Sequence, residues 1–338
     1  MIGQKVKRFL AEKNIELSLE RYGIQALGAM ARGLFASLIV GLILKVLGQR
    51  LGIPLLVEFS KTAMDMMGPA IGVAVAYGLE APPLVIFTSV VTGAAGAELG
   101  GPVGAFISAV IGAEFGKVIS KETKLDIVIT PSVVIITGLL MAKFVGPGID
   151  AFMKGLGQVI MRATELQPIP MGIIVSVLMG MALTLPISSA AIGLMLSLSG
   201  LAAGAATVGC SAQMIGFAVI SWRENGFGGL ISQGLGTSML QMPNIVRNPY
   251  IWIPPTLSGA ILGPIATTVI PMENIPIGSG MGTAGLVGQF GTIEAMGMEA
   301  LGSIIILHFI LPAILSLVIA ELMRKWGLIG AEDLLLEL

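Results

Sequence analysis

The apolar positions of this chain fall in long unbroken runs rather than on one face of each element. Apolar segments occupy roughly 24–48, 68–80, 83–97, 101–119, 127–147, 169–184, 187–205, 207–222, 228–243, 250–270, 275–294 and 300–322. From Leu166 to Trp222, 57 residues pass without one Asp, Glu, Lys or Arg. A helix needs about 20 apolar residues to cross the hydrocarbon core, so that run alone holds two or more crossings. Several other segments are shorter and are interrupted by Gly or Pro. Broken backbone at membrane depth is tolerated only where protein buries it or where it lines a watery cavity. The short segments are therefore predicted as re-entrant hairpins or interrupted helices.

Composition sharpens this picture. Of 338 residues, 55% are hydrophobic and only 12% charged, and the mean hydropathy is +0.93. Soluble domains carry about 25% charged residues, so the chain is an integral membrane protein. The 46 glycines suit closely packed membrane helices. With only 3 Trp and 3 Tyr there are no aromatic girdles for a β-barrel. The expected fold is all-α and polytopic, with about 10 transmembrane helices. Residues 1–22 read as a cytoplasmic amphipathic helix, charged at Lys5, Lys7, Arg8, Glu12, Lys13, Glu16 and Glu20. Positive charge there, and at Arg324 and Lys325, places both termini inside. A first membrane repeat spans 23–165, with an amphipathic linker at 148–165. A second spans 166–325, and 326–338 form a cytoplasmic tail. A net charge of −1 gives no reason to expect nucleic acid.

The division into repeats rests on a match at a constant offset of 124 residues. Gly104, Ile107, Ser108, Ile111 and Gly112 match Gly228, Ile231, Ser232, Leu235 and Gly236. Ile127, Ile129, Pro131 and Ser132 match Ile251, Ile253, Pro255 and Thr256 in the same register. If each half makes five passes the copies are inverted, which agrees with both termini being inside, and that arrangement places a solute site where interrupted helices meet. The second copy is the more polar. It carries Ser211, Gln213, Gln233, Thr237, Ser238, Gln241 and Asn244, and its last hairpin adds Thr283, Gln289 and Glu294. Neutral donors and acceptors with one carboxylate suit a polyhydroxylated solute better than an anion.

Each candidate has a plainer reading. Glu294 follows 20 residues free of charge; it either meets solute or protons inside the membrane, or ends a helix at the water boundary. Glu98 sits beside Gly100, Gly101 and Pro102, where a loop could solvate it. His308 is the only histidine; it is a relay or ligand contact, or it bonds a carbonyl freed by Pro312. Cys210, the only cysteine, reads as a small packing residue. Gln213, between small residues in a charge-free run, must find a partner, since an unsatisfied amide in lipid is costly. HExxH, GxSxG and a Walker lysine are all missing, so neither an enzyme nor a metal site nor a cofactor is expected.

Three stretches carry a family resemblance: "GLAAGAATVGCSAQMIGFAVISWREN", "GLGTSMLQMPNIVRNPYIWIPPTLSGAILGPIATT" and "MENIPIGSGMGTAGLVGQ". Across most of residues 20–325 the chain resembles the membrane-embedded IIC components of the bacterial sugar phosphotransferase system. In particular it resembles the standalone group named after the perfringolysin regulator, PfoR. The resemblance implies a sugar permease working by alternating access, with re-entrant hairpins, usually a homodimer in the bacterial cytoplasmic membrane. Relatives contact sugar through the glutamate of a Gly-Ile-Thr-Glu motif. Here Gly291–Glu294 reads "GTIE", with Thr and Ile exchanged, which points to Glu294. The single His and single Cys lie inside apolar runs, so phosphotransfer would fall to separate IIA and IIB proteins. Two alternatives remain: a membrane sensor or regulator derived from a permease, and an ion-coupled transporter of a small organic solute.

Overall fold

The computed structural model describes residues 9–336. Among these the regular structure is helical, apart from one isolated bridge between Gly200 and Asn274. Five helices are long and apolar enough to cross a membrane: Glu20–Gln49, Pro83–Ile119, Asp126–Thr164, Gly200–Ile220 and Met298–Lys325. Two further apolar helices, Met67–Gly78 and Pro168–Thr184, are shorter. Of the amphipathic segment expected over 1–22, residues 1–8 lie outside the described residues, as do 337 and 338 of the tail. Residues 13–18 run as turn and irregular backbone.

The chain divides into two compact units, one of residues 1–41 and 61–152, the other of 42–60 and 153–338. In the first, the Pro83–Ile119 helix is broken at Gly100 and Gly101, just before Pro102. Gly101 has φ 57° and ψ −148°, a region that side chains exclude. The break turns the chain back on itself. A Cβ at Gly96 or at Gly104 would overlap the carbonyl oxygen of the other, and farther from the break Gly112 meets Thr92 and Gly116 meets Val85. The arms 83–99 and 102–119 are thus antiparallel. Met67–Gly78 packs on the first arm, with Gly68 and Gly72 against Gly93. Asp126–Thr164 packs through Gly138 on Thr92 and Ser108, and through Gly146 on Leu99. With no hydrophobic drive between helices in lipid, such close backbone approach supplies the packing.

Beside these helices lies a charged cluster. Lys117 is almost fully buried, and its Nζ donates to the carbonyl oxygens of Asn14 (2.7 Å) and Leu79 (3.0 Å) and pairs with Glu114 (3.1 Å). Arg21 Nη2 donates to the same Leu79 oxygen at 2.6 Å. Leu79 caps Met67–Gly78, so both cations meet the negative end of a helix dipole. They tie residues 14–21 to the helix ends.

In the second unit Gly200–Ile220 is the central and most buried helix. Gly209 lies on Ser176, Gly180 on Gly209, and Gly172 on Gly263, which brings Pro168–Thr184 and Ile253–Thr268 against it and each other. Ser176 Oγ donates to Gly259 O across this contact at 2.8 Å.

Some expected segments differ. The stretch read as a linker at 148–165 continues the Asp126–Thr164 helix through Pro147; proline is tolerated in membrane helices when neighbours satisfy the freed carbonyl. The run 187–205 is not one helix. It comprises Ser189–Met195, then irregular backbone with Ser197 and Gly200 at positive φ. The run 228–243 is not one helix either: after the kink at Gly226, Trp222–Ile231 ends and Ser232–Gly236, Ser238–Gln241 and Met242–Arg247 follow.

The glycine contacts give a direct test. Gly72→Ala places a methyl against the Ser89 backbone, whereas Gly155→Ala meets nothing within 4 Å. Thermal unfolding in detergent should show Gly72→Ala destabilised by about 1–3 kcal/mol and Gly155→Ala unchanged or slightly stabilised.

Candidate functional site

The polar residues of the second unit fall into three groups, the first on an unbroken helix and the other two at interruptions of the helical backbone. The first surrounds Gln213 on the central helix. Its Oε1 accepts from Thr184 Oγ1 (3.1 Å) and Trp252 Nε1 (3.0 Å), and its Nε2 donates to Thr256 Oγ1 (2.9 Å). The Ser238 hydroxyl lies 2.9 Å from that of Thr184. The amide that had to find a partner therefore has three, all from the protein, and it fastens Pro168–Thr184 and Ile253–Thr268 to the centre.

The second group is a row of carboxamides. Gln233 Nε2 donates to Ser221 Oγ (2.8 Å), Gln241 Nε2 to Gln233 Oε1 (2.9 Å), and Asn244 Nδ2 to Gln241 Oε1 (2.8 Å). The row ends on the backbone of the segment after the last helix. Gln241 also donates to Leu334 O (3.0 Å) and Asn244 to Leu335 O (2.8 Å). Thr237 accepts from Met239 N and starts the 3-10 turn Ser238–Gln241.

The third group surrounds the glycine-rich turn between Pro276–Ser279 and Val287–Met296. Asn274 is buried, and its Nδ2 donates to Thr207 Oγ1 (2.7 Å) and Gly288 O (2.9 Å). Thr283 Oγ1 donates to Gly234 O, joining this turn to the carboxamide region. Gln289 Nε2 lies 3.1 Å from His308 Nδ1. His308 is fully buried, and its Nε2 has no hydrogen-bond partner; nor does Gln289 Oε1. Gln289 Nε2 can only donate, so His308 Nδ1 accepts and the imidazole proton sits on Nε2; the pair leaves His308 Nε2–H open as a donor and Gln289 Oε1 open as an acceptor. Ser211 Oγ is also buried without a partner.

Glu294 and Glu98 are both exposed. On Val287–Met296, Glu294 follows Gln289 by five positions, about 140° around a helix of 3.6 residues per turn. The two therefore occupy different faces. Cys210 is fully buried, with its Sγ against Met179 O (3.4 Å).

Sequence reasoning missed Asn274, Thr184 and Asn225. Asn274 sits in "MENIP", where an Asn before a proline-led helix reads first as a turn residue. Its partner Thr207 lies 67 positions earlier, and no local pattern marks that pairing. Gln213→Leu should strand Trp252, Thr256 and Thr184 and cost about 1–3 kcal/mol, seen as a lower Tm. Cys210→Ala should leave solute handling unchanged.

Comparison with known proteins bears on what these groups serve. Neither a curated protein nor a solved structure matches the chain. The family model for the phosphotransferase system EIIC component matches residues 24–336, which takes in both units and all three polar groups. An all-helical chain with helices fit for a bilayer, matched over nearly its whole length, belongs to the phosphotransferase system EIIC family of membrane-embedded sugar permease components.

Proposed function

We propose that the chain moves a sugar or similar small polar solute across the membrane by alternating access. The family supplies the solute class. The observation that carries the site is the Gln289–His308 pair, buried with one polar atom of each residue unpartnered. An open buried polar atom costs about 1–3 kcal/mol, and a sugar hydroxyl, which donates and accepts at once, answers both. Gln213, Gln233, Gln241 and Asn244 already have protein partners. In this reading they hold the broken helices around the site rather than the sugar. Ser211, Thr237, Ser238 and Thr283 shape its wall, and Glu294 and Glu98 meet the solute on its way in or out.

Two inverted repeats, 23–165 and 166–325, with about ten passes and re-entrant hairpins, would supply the moving parts. Support comes from the backbone breaks in the two copies. Gly101 has φ 57° and ψ −148°, Gly226 φ 55° and ψ −150°. They are 125 residues apart (226 − 101), one residue from the offset of the sequence match. The protein would work as a homodimer of the standalone PfoR-like kind in the bacterial cytoplasmic membrane, with both termini inside. Separate IIA and IIB proteins would supply phosphate.

The test is a panel of sugars and polyols on the purified protein in liposomes, read by uptake and thermal shift. Wild type should respond to at least one. Gln289→Leu and His308→Leu should weaken that response about 10-fold or more, the cost of one lost buried hydrogen bond, and Glu294→Gln should weaken it less. No uptake and no thermal shift across the panel would overturn the reading.

A further inference from the structure

Residues 328–336 follow the last membrane helix, yet they are held by neither helix nor sheet. Carboxamide side chains hold them. Asn225 Nδ2 donates to Leu334 O at 2.7 Å, and Asn225 Oδ1 accepts from Leu336 N at 2.8 Å. Gln241 and Asn244 donate to Leu334 O and Leu335 O. Asn248 Nδ2 donates to Leu328 O (3.0 Å) and to Asp333 Oδ2 (2.7 Å). Two side chains of the segment, Ile329 and Leu334, are buried. Backbone gripped at both N–H and C=O by side chains, with buried apolar anchors, is held as a docked peptide is held, although here the gripped segment is a series of turns, with Leu335 N bonded to Glu332 O.

The grip falls on an interrupted part of the second unit. Asn225 precedes the kink at Gly226, and Gln241 and Asn244 follow the π and 3-10 turns of 232–241. Backbone of that kind has few bonds of its own and opens at low cost. The docked segment completes its carboxamide row, which otherwise ends on an open donor.

We propose that residues 328–336 are a reversible latch, a peptide ligand bound in cis by Asn225, Gln241, Asn244 and Asn248. Its release frees the carboxamide row and loosens residues 226–241. Through the Thr283 bond to Gly234 O, the loosened stretch also slackens the glycine-rich turn before Gln289. This last step rests on the solute site proposed above; the latch itself does not.

The latch is tested without any sugar. The only native cysteine is fully buried, so Leu334→Cys in the full chain in lipid nanodiscs gives one reporter. Its maleimide labelling should be at least tenfold slower than that of Leu335→Cys, an exposed neighbour. Adding Asn225→Ala with Asn248→Ala should remove most of that difference. Because Leu334→Cys removes a buried apolar anchor, hydrogen exchange on chains without it gives a second readout. The Asn225→Ala, Asn248→Ala chain should exchange faster than wild type in 328–336 and in 226–241 together, with Gly200–Ile220 unchanged. Equal labelling at 334 and 335 in the otherwise unaltered chain would overturn the latch. So would faster exchange confined to 328–336, since the latch would then restrain nothing. If the latch holds but no sugar responds, the site reading fails and the latch stands.

Discussion

Every polar group that leaves water on entering the bilayer must find a partner within the protein. A straight helix meets that demand with its own backbone. This chain breaks its helices repeatedly, at Gly100–Gly101, around Ser197, at Gly226 and across 280–286, and each break frees carbonyls and N–H groups. Two devices answer the demand. Glycines let neighbouring backbones approach until few gaps remain, as at Gly96 with Gly104 and Gly172 with Gly263. Carboxamides, which donate and accept at one site, bridge what glycine cannot close. Asn274 and the Gln233–Gln241–Asn244 row sit beside breaks, Gln213 lies on the unbroken Gly200–Ile220 helix, and each connects separate stretches of chain.

That division explains why charge is scarce inside and where it is tolerated. Lys117 and Arg21 meet helix-end carbonyls, and Arg324 donates to Ile220 O at 2.7 Å while pairing with Glu224 at 3.3 Å. Each cation sits at the end of a helix whose dipole it complements. Between the ends, neutral amides serve because an uncompensated charge costs far more than an uncompensated amide. Against this background an amide–imidazole pair with open atoms is an exception, and exceptions of this kind mark places where something else binds.

Much of this was legible in the sequence. The 57-residue run without charge decided the membrane class, and "ELGGPVG" marked the break that splits 83–119 into two arms. Gln213 had to be satisfied, and it is. Partner choice was not legible. Nothing local says that Gln241 and Asn244 reach residues 334 and 335, some ninety positions later. Nor does hydropathy say that 148–165 continues a helix, because an amphipathic linker and an amphipathic helix share one pattern. Glu98 and Glu294 drew attention by their isolation in apolar sequence, and the fold leaves both exposed. Gln289 stood out for polarity alone; only the fold supplies His308 as its partner.

The central claim is that satisfied carboxamides build the scaffold while the Gln289–His308 pair is left for the solute. An experimental structure in lipid nanodiscs with a responding sugar bound tests it most directly. The account predicts sugar density within hydrogen-bond reach of Gln289 Oε1 and His308 Nε2, with the Gln213 and Gln241 bonds intact. Sugar density seated instead on Gln213, Gln241 or Asn244, with those bonds broken, would contradict it.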